Sequence, residues 1–145
     1  MILLDGKSLS EEILSNLKLK IEDCEFKINL DIVLVGDNPS SLKYIALKQK
    51  KASELGIGGQ LYHFPGSISP SKIIDLFHQL NRNPDTTGYF IQLPIPNIPE
   101  YSSLLNNIIP HKDVDGLNPN SGVTPAVVRG IISLLNHYQI SFDSK

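Results

Sequence analysis

Ser41, Tyr44 and Lys48 place a hydroxyl, a phenol and an amine at positions i, i+3 and i+7 of the stretch GDNPSSLKYIALKQKKASELG, residues 36–56. At about 100° per residue on a helix they fall within roughly 60° of one another, so all three project from one side. Such a side can hold a substrate by hydrogen bond and ring contact while the amine handles a proton. An ordinary packed or solvated helix also carries tyrosine and lysine, so the triplet means chemistry only in company.

Two later stretches supply that company. Gln92 stands in YFIQLPIP, where Pro94 and Pro96 stiffen the backbone just after an apolar run. Asp113 and Asp115 lie two residues apart in KDVDG, a polar loop after Pro110. Taken singly, Gln92 reads equally as a solvated strand end, and the two aspartates as turn formers. Taken with the helix, they form a candidate set of amine, phenol, amide and carboxylate.

Elements must position these groups. Leu30 to Val35 is an apolar run of strand length, suited to burial on both faces. Asp37-Asn38-Pro39 then predicts a helix start, with proline at a position the first turn tolerates, and Gly56 predicts its end. Leu61 to Phe64 predicts a second strand, and Ile73, Ile74, Phe77 and Leu80 after Ser69-Pro70 predict an amphipathic helix. Gly88 to Leu93 predicts a third strand, Pro99 to Ile109 a short helix, and Val127 to Tyr138 a longer one. At the start of the chain Leu9, Ile13, Leu17 and Ile21 predict an amphipathic helix capped near Ser8 or Ser10 and serving packing alone. Alternating strands and helices imply an α/β fold. It is a single three-layer domain over residues 1–145, with a mainly parallel sheet flanked by helices. In such sheets ligands sit at the carboxyl ends of the strands.

Composition narrows the partners. The 145 residues carry 41% hydrophobic and 19% charged residues with a formal net charge of -2, as in an ordinary globule. That balance gives no reason to expect nucleic acid or an anionic membrane as partner, and leaves small molecules. Cys24 is the single cysteine, which excludes an internal disulfide and any CxxC motif. His63, His78, His111 and His137 lack ligand-type spacing, so no metal is expected. Without a membrane-length apolar run or a signal-like segment, a cytoplasmic setting is expected.

In their order VGDNPSSLKYIALKQKKASELGI, YFIQLPIP, PHKDVDGLNPN and TPAVVRGIISLL, these blocks closely resemble the bifunctional methylenetetrahydrofolate dehydrogenase/methenyltetrahydrofolate cyclohydrolase family. The resemblance runs from Asp5-Gly6-Lys7 to about Tyr138. It implies that Lys48 is the catalytic lysine, that Tyr44 stacks on substrate, that Gln92 supports the lysine and that Asp115 binds the pterin. Ser41, Pro94 and Val114 are implied as further substrate contacts. Each role is chemically sound: a carboxylate accepts paired hydrogen bonds from a donor edge, a phenol ring stacks, and a lysine amine exchanges protons where burial disfavours its charge. The implied reaction is hydride transfer from 5,10-methylenetetrahydrofolate to NAD or NADP, then hydrolysis of the methenyl cation to 10-formyltetrahydrofolate. The setting is one-carbon metabolism, including purine biosynthesis, and the implied state of the full-length protein is a homodimer.

The sequence departs from that family in two places. No glycine-rich strand-to-helix turn occurs, and Gly56-Ile57-Gly58-Gly59 is not one, so the chain is expected to be the folate-binding catalytic domain without the downstream dinucleotide-binding domain. That domain's first strand would begin near Phe142 to Lys145. Between Asn120 and Thr124 only Ser-Gly-Val is present, where the family has a longer segment bordering the cleft. Two rival readings stand beside this one. Tyr44-x-x-x-Lys48 is also the short-chain dehydrogenase pair, but that family needs an upstream glycine-rich turn that is absent here. The same fold would also serve as a folate-binding or oligomerising module without catalysis.

Overall fold

The computed structural model describes residues 3–141. Strands β1 (Leu30–Val35), β2 (Leu61–Phe64) and β3 (Gly88–Ile91) form one parallel sheet in the order β2-β1-β3. Ile32 of β1 lies level with Leu61 on one side and Phe90 on the other. Helix α2 (Pro39–Glu54) connects β1 to β2, and α3 (Pro70–Arg82) connects β2 to β3. Helix α1 (Gly6–Glu22) precedes the sheet, while the short α4 (Ser102–Leu105) and α5 (Ala126–His137) follow it.

Side-chain alternation along the strands divides the interior in two. Val33, Val35, Tyr89 and Ile91 face α3, whose Ile73, Leu76, Phe77 and Leu80 recur at helical spacing, with Leu104, Leu105 and Ile108 closing that side. Ile32, Leu34 and Phe90 face the other way and meet Ile45 of α2. The layered parallel α/β architecture is as expected. Asp31, a carboxylate inside the central strand, is fully partnered: it accepts from Gln60 N–H at 2.7 Å and from the Thr86 hydroxyl at 2.6 Å. Burial of that charge is offset by these bonds, which tie the sheet's leading edge together.

Several boundaries differ from expectation. Asp5, not Ser8 or Ser10, caps α1, because its carboxylate accepts from both Lys7 and Ser8 N–H groups at 3.1 Å. No residue of α1 is buried; Ile13 and Leu17 are exposed, and the helix packs on α5, where Asp5 N–H donates to the Tyr138 hydroxyl at 2.9 Å. Within Pro99 to Ile109 only four residues are helical, since the Asn107 side chain donates to the Ser103 and Leu104 carbonyls and competes with the backbone pattern. Strand β3 ends at Ile91, two residues early, yet Gln92 N–H still donates to Val33 O at 2.8 Å and holds strand register. Phe142 to Lys145 lie outside the described residues.

Candidate active site

Asn38 starts the helix that carries the amine. Its side-chain oxygen accepts from Ser40 N–H at 2.9 Å and Ser41 N–H at 3.2 Å, and Pro39 occupies the first helical position. Ser41 is buried at this first turn, and Lys48 stands seven residues on, about 10 Å along the axis. Tyr44 lies between them with its side chain exposed. The three residues share a helix, but they meet different surroundings: core for Ser41, solvent for Tyr44, and a cleft for Lys48.

That cleft, about 350 Å³, is lined by Leu30, Lys48, Gly88, Phe90, Val114 and Asp115 among others. It does not sit simply beyond the carboxyl ends of the strands. It runs along the α2-side face of β3, from Gly88 to Phe90, and ends near Gln92, whose side chain meets Lys48. The reason is that α2 packs over β1 and reaches β3 through Ile45 against Phe90, which leaves space over the Gly88 end of that strand.

Around the amine of Lys48 three groups gather. The Nζ atom lies 3.9 Å from Asp115 Oδ2, 3.9 Å from the centroid of the Phe90 ring, and donates to Gln92 Oε1 at 3.4 Å. Gln92 points its oxygen that way because its amide nitrogen donates to Leu93 O at 2.8 Å. The burial expected to make this lysine a proton carrier is absent: its side chain is 40% exposed, and that of Asp115 is 29% exposed. At the amine the site supplies two oxygen acceptors, at the end of a cleft lined otherwise mostly by apolar side chains. Both polar contacts are long, and bonds of this kind characteristically shorten on substrate binding.

The KDVDG loop divides into a structural pair and a pair that faces the cleft. Lys112 is buried, and its ammonium donates to Leu80 O at 2.8 Å and Asn83 O at 2.7 Å, capping the C-terminal end of α3. Asp113 is buried and accepts from Leu117 N–H at 3.1 Å and Asn118 N–H at 2.8 Å, so its carboxylate serves the turn. A parallel bridge between Tyr89 and Asp113 lays the loop beside β3. Val114 and Asp115 are then left facing the cleft. Val114 packs directly on Gly88, where any side chain would also crowd Lys112 O at 3.4 Å. After Gly116, whose φ is 69°, the Asn120–Thr124 segment is a tight turn in which Val123 N–H donates to the Ser121 hydroxyl at 3.2 Å.

Of the sequence candidates, Lys48, Gln92, Asp115 and Val114 come together. Tyr44 and Ser41 do not line this cleft. Pro94 is exposed beyond Gln92, after a cis Leu93–Pro94 bond. Phe90 was not anticipated. Its signal was there: it lies two residues before Gln92, hence on the same face of the strand.

The β1–α2 turn does not fit a nicotinamide dinucleotide. Its pyrophosphate needs free backbone N–H groups at a glycine-rich turn, but in the β1–α2 turn Ser40 and Ser41 already donate to Asn38. The space over Gly36 is taken by Pro96, 2.9 Å from where a Cβ would lie. Among the described residues no group of three His, Cys, Asp or Glu is arranged to hold a metal ion, and no helix is long and apolar enough to cross a membrane.

Comparison with known proteins gives the same family as the motifs. Residues 4–115 match the family described as tetrahydrofolate dehydrogenase/cyclohydrolase, catalytic domain. The bifunctional protein FolD of Chlamydia trachomatis is 34% identical over 154 aligned positions, covering 99% of this chain and 54% of the relative. The crystal structure of the bifunctional FolD methylenetetrahydrofolate dehydrogenase/cyclohydrolase from Campylobacter jejuni superposes with a TM-score of 0.92 at 35% identity, covering 100% of this chain and 56% of that one. The Trypanosoma brucei FolD, solved with NADP cofactor and inhibitor, shares the fold at a TM-score of 0.88 and 21% identity, over 99% of this chain and 54% of that one. The chain thus spans about half the length of the curated relatives it matches. With its motifs, its parallel sheet and these relatives in agreement, the chain belongs to the tetrahydrofolate dehydrogenase/cyclohydrolase family, catalytic domain.

Proposed function

We propose that this chain is the folate-binding catalytic domain of a bifunctional enzyme. The enzyme oxidises 5,10-methylenetetrahydrofolate with NADP or NAD and hydrolyses the resulting methenyl cation to 10-formyltetrahydrofolate. The observation that carries the reading is the convergence of Lys48, Gln92 and Asp115 on one cleft walled by Phe90 and Val114. The Asp115 carboxylate accepts the donor edge of the pterin, and Val114 lies against its flat face. Tyr44, one helical turn from Lys48 and exposed, stacks on the aminobenzoyl ring at the cleft mouth, and Pro94 lies on the flank beyond Gln92; Ser41, buried at the first turn of α2, supports the helix and not the substrate.

Hydrolysis needs only residues of this chain. Water adds to the bridging amidinium carbon, forming a carbon–oxygen bond, and one water proton passes to the Lys48 amine, which has first given up its own proton to solvent and thereby becomes the ammonium. The bond from that carbon to the pteridine ring nitrogen then breaks; the Lys48 ammonium returns its proton to that nitrogen, and the carbinol hydroxyl loses its proton to solvent as the formyl carbonyl forms, so one proton is released overall. Gln92 keeps the amine in place through its oriented oxygen. A bound nicotinamide supplies the acceptor for hydride in the oxidation. The whole protein is proposed to be a cytoplasmic homodimer acting on reduced folate.

The test is hydrolysis of methenyltetrahydrofolate by this chain, followed spectroscopically. Lys48→Ala is expected to slow it by about a hundredfold or more, the contribution typical of a positioned proton carrier. Equal rates for the two proteins would refute the assignment and leave a binding module without catalysis.

A further inference from the structure

Phe90 enters the reading above only as a wall of the cleft, yet it makes a close contact with the amine. Its ring is 3% exposed to solvent, forms a wall of the cleft, and presents its face to Lys48 Nζ at 3.9 Å from the centroid. A cation over an aromatic face is attracted by the ring's quadrupole, more strongly as water is excluded. The other two partners are long: 3.4 Å to Gln92 Oε1 and 3.9 Å to Asp115 Oδ2.

These contacts change together when substrate binds. Under the proposed function Asp115 turns to the pterin's donor edge, and the amine then keeps two neutral partners, the Gln92 oxygen and the ring. We propose that Phe90 is a positioning residue whose π face seats the Lys48 ammonium, the form that returns a proton to the pteridine nitrogen, against the cleft floor while Asp115 is engaged by substrate. The proposal rests on the functional reading above. An aliphatic residue fills the same floor without the quadrupole, so the effect is separable from packing.

Two measurements on the 145-residue chain test it. In the NMR spectrum the Lys48 ε-methylene protons, identified by their loss in Lys48→Arg, are expected upfield of other lysines because they lie over the ring. In Phe90→Leu they return to the ordinary lysine position. In methenyltetrahydrofolate hydrolysis, Phe90→Leu is expected to lower kcat by about threefold to thirtyfold with KM within about twofold. Replacing Phe90 by phenylalanines of increasing fluorination, which weakens the ring face at nearly constant size, is expected to lower kcat stepwise. An ordinary Lys48 shift in the wild-type chain, an unchanged kcat in Phe90→Leu, or a flat fluorine series would overturn the proposal, and the first needs no variant at position 90. Survival of hydrolysis in Lys48→Ala would instead overturn the functional reading. The seat itself would then be judged by the Lys48 shift alone.

Discussion

The two faces of the sheet are built from the same three strands and end in opposite conditions. Toward α3 the space is filled: Phe77 and Tyr89 meet at 5.4 Å between ring centroids, and Ile73, Leu80, Ile91 and Ile108 are sealed around them. Toward α2 the apolar cluster is only Ile32, Leu34, Ile45 and Phe90, and beside it the cleft opens. Along β3 neighbouring residues are assigned to these two sides by alternation, Tyr89 and Ile91 inward and Phe90 and Gln92 toward the cleft; in the loop the division is by successive pairs, Lys112 and Asp113 into structure, Val114 and Asp115 into the site. The lesson is that the site is an unfilled stretch of core, held in shape by the face that is filled.

Truncation on the filled face should be the most damaging change. Phe77→Ala, at a residue with no solvent exposure, is expected to cost about 3–5 kcal/mol in denaturant unfolding. A loss below 1 kcal/mol would break the contrast. Lys112→Met comes next: it leaves the Leu80 and Asn83 carbonyls without their ammonium, and about 2 kcal/mol of stability is expected to go with it. Since Lys112 anchors the loop bearing Asp115, the same variant should weaken folate binding in a titration, whereas an unaltered affinity would separate the anchor from the site.

A smaller effect is expected from alkali. Burial first, and then the negative charge of Asp113, push the Tyr89 phenol well above its ordinary value of about 10, and its hydroxyl donates to Asn81 Oδ1 at 2.7 Å. The folded state thus holds this proton more tightly than the unfolded chain. The stability it contributes is complete below about pH 10 and is lost as pH rises beyond it. Unfolding midpoints measured across that range should fall for the wild type and fall less steeply for Tyr89→Phe; parallel curves would show that the filled face does not govern the alkaline limb. The smallest change belongs to the open face. Lys48→Ala should leave stability within about 0.5 kcal/mol, because both partners of its ion pair remain partly solvated.

Much of this arrangement was legible in the letters. Apolar runs bounded by turn residues located all three strands, and the spacing of Ile73, Phe77 and Leu80 located the inner side of α3. Less legible were features decided by a side chain reaching another element or a neighbouring turn. Asp5 took the cap because two N–H groups pointed at it, and Asn107 ended α4 by bonding back to its carbonyls. Asp113 and Asp115 look alike in sequence, and only the folding back of Leu117 and Asn118 onto the first tells them apart. Tyr44, grouped with Lys48 by periodicity, stays in solvent because a helix side some 60° wide spans both a cleft and its rim.

By itself the sequence determined the order of elements, the parallel α/β class and the family, because each depends on local period and on motifs contiguous in the chain. Tertiary structure alone decided that Lys48, Gln92 and Asp115, brought from a helix, a strand end and a loop, share one cleft, and that Phe90 lies beneath the amine. The physical reason is that periodicity tells which side of an element a residue occupies, whereas what that side meets is set by how α2 lies over β1 and leaves space over the Gly88 end of β3.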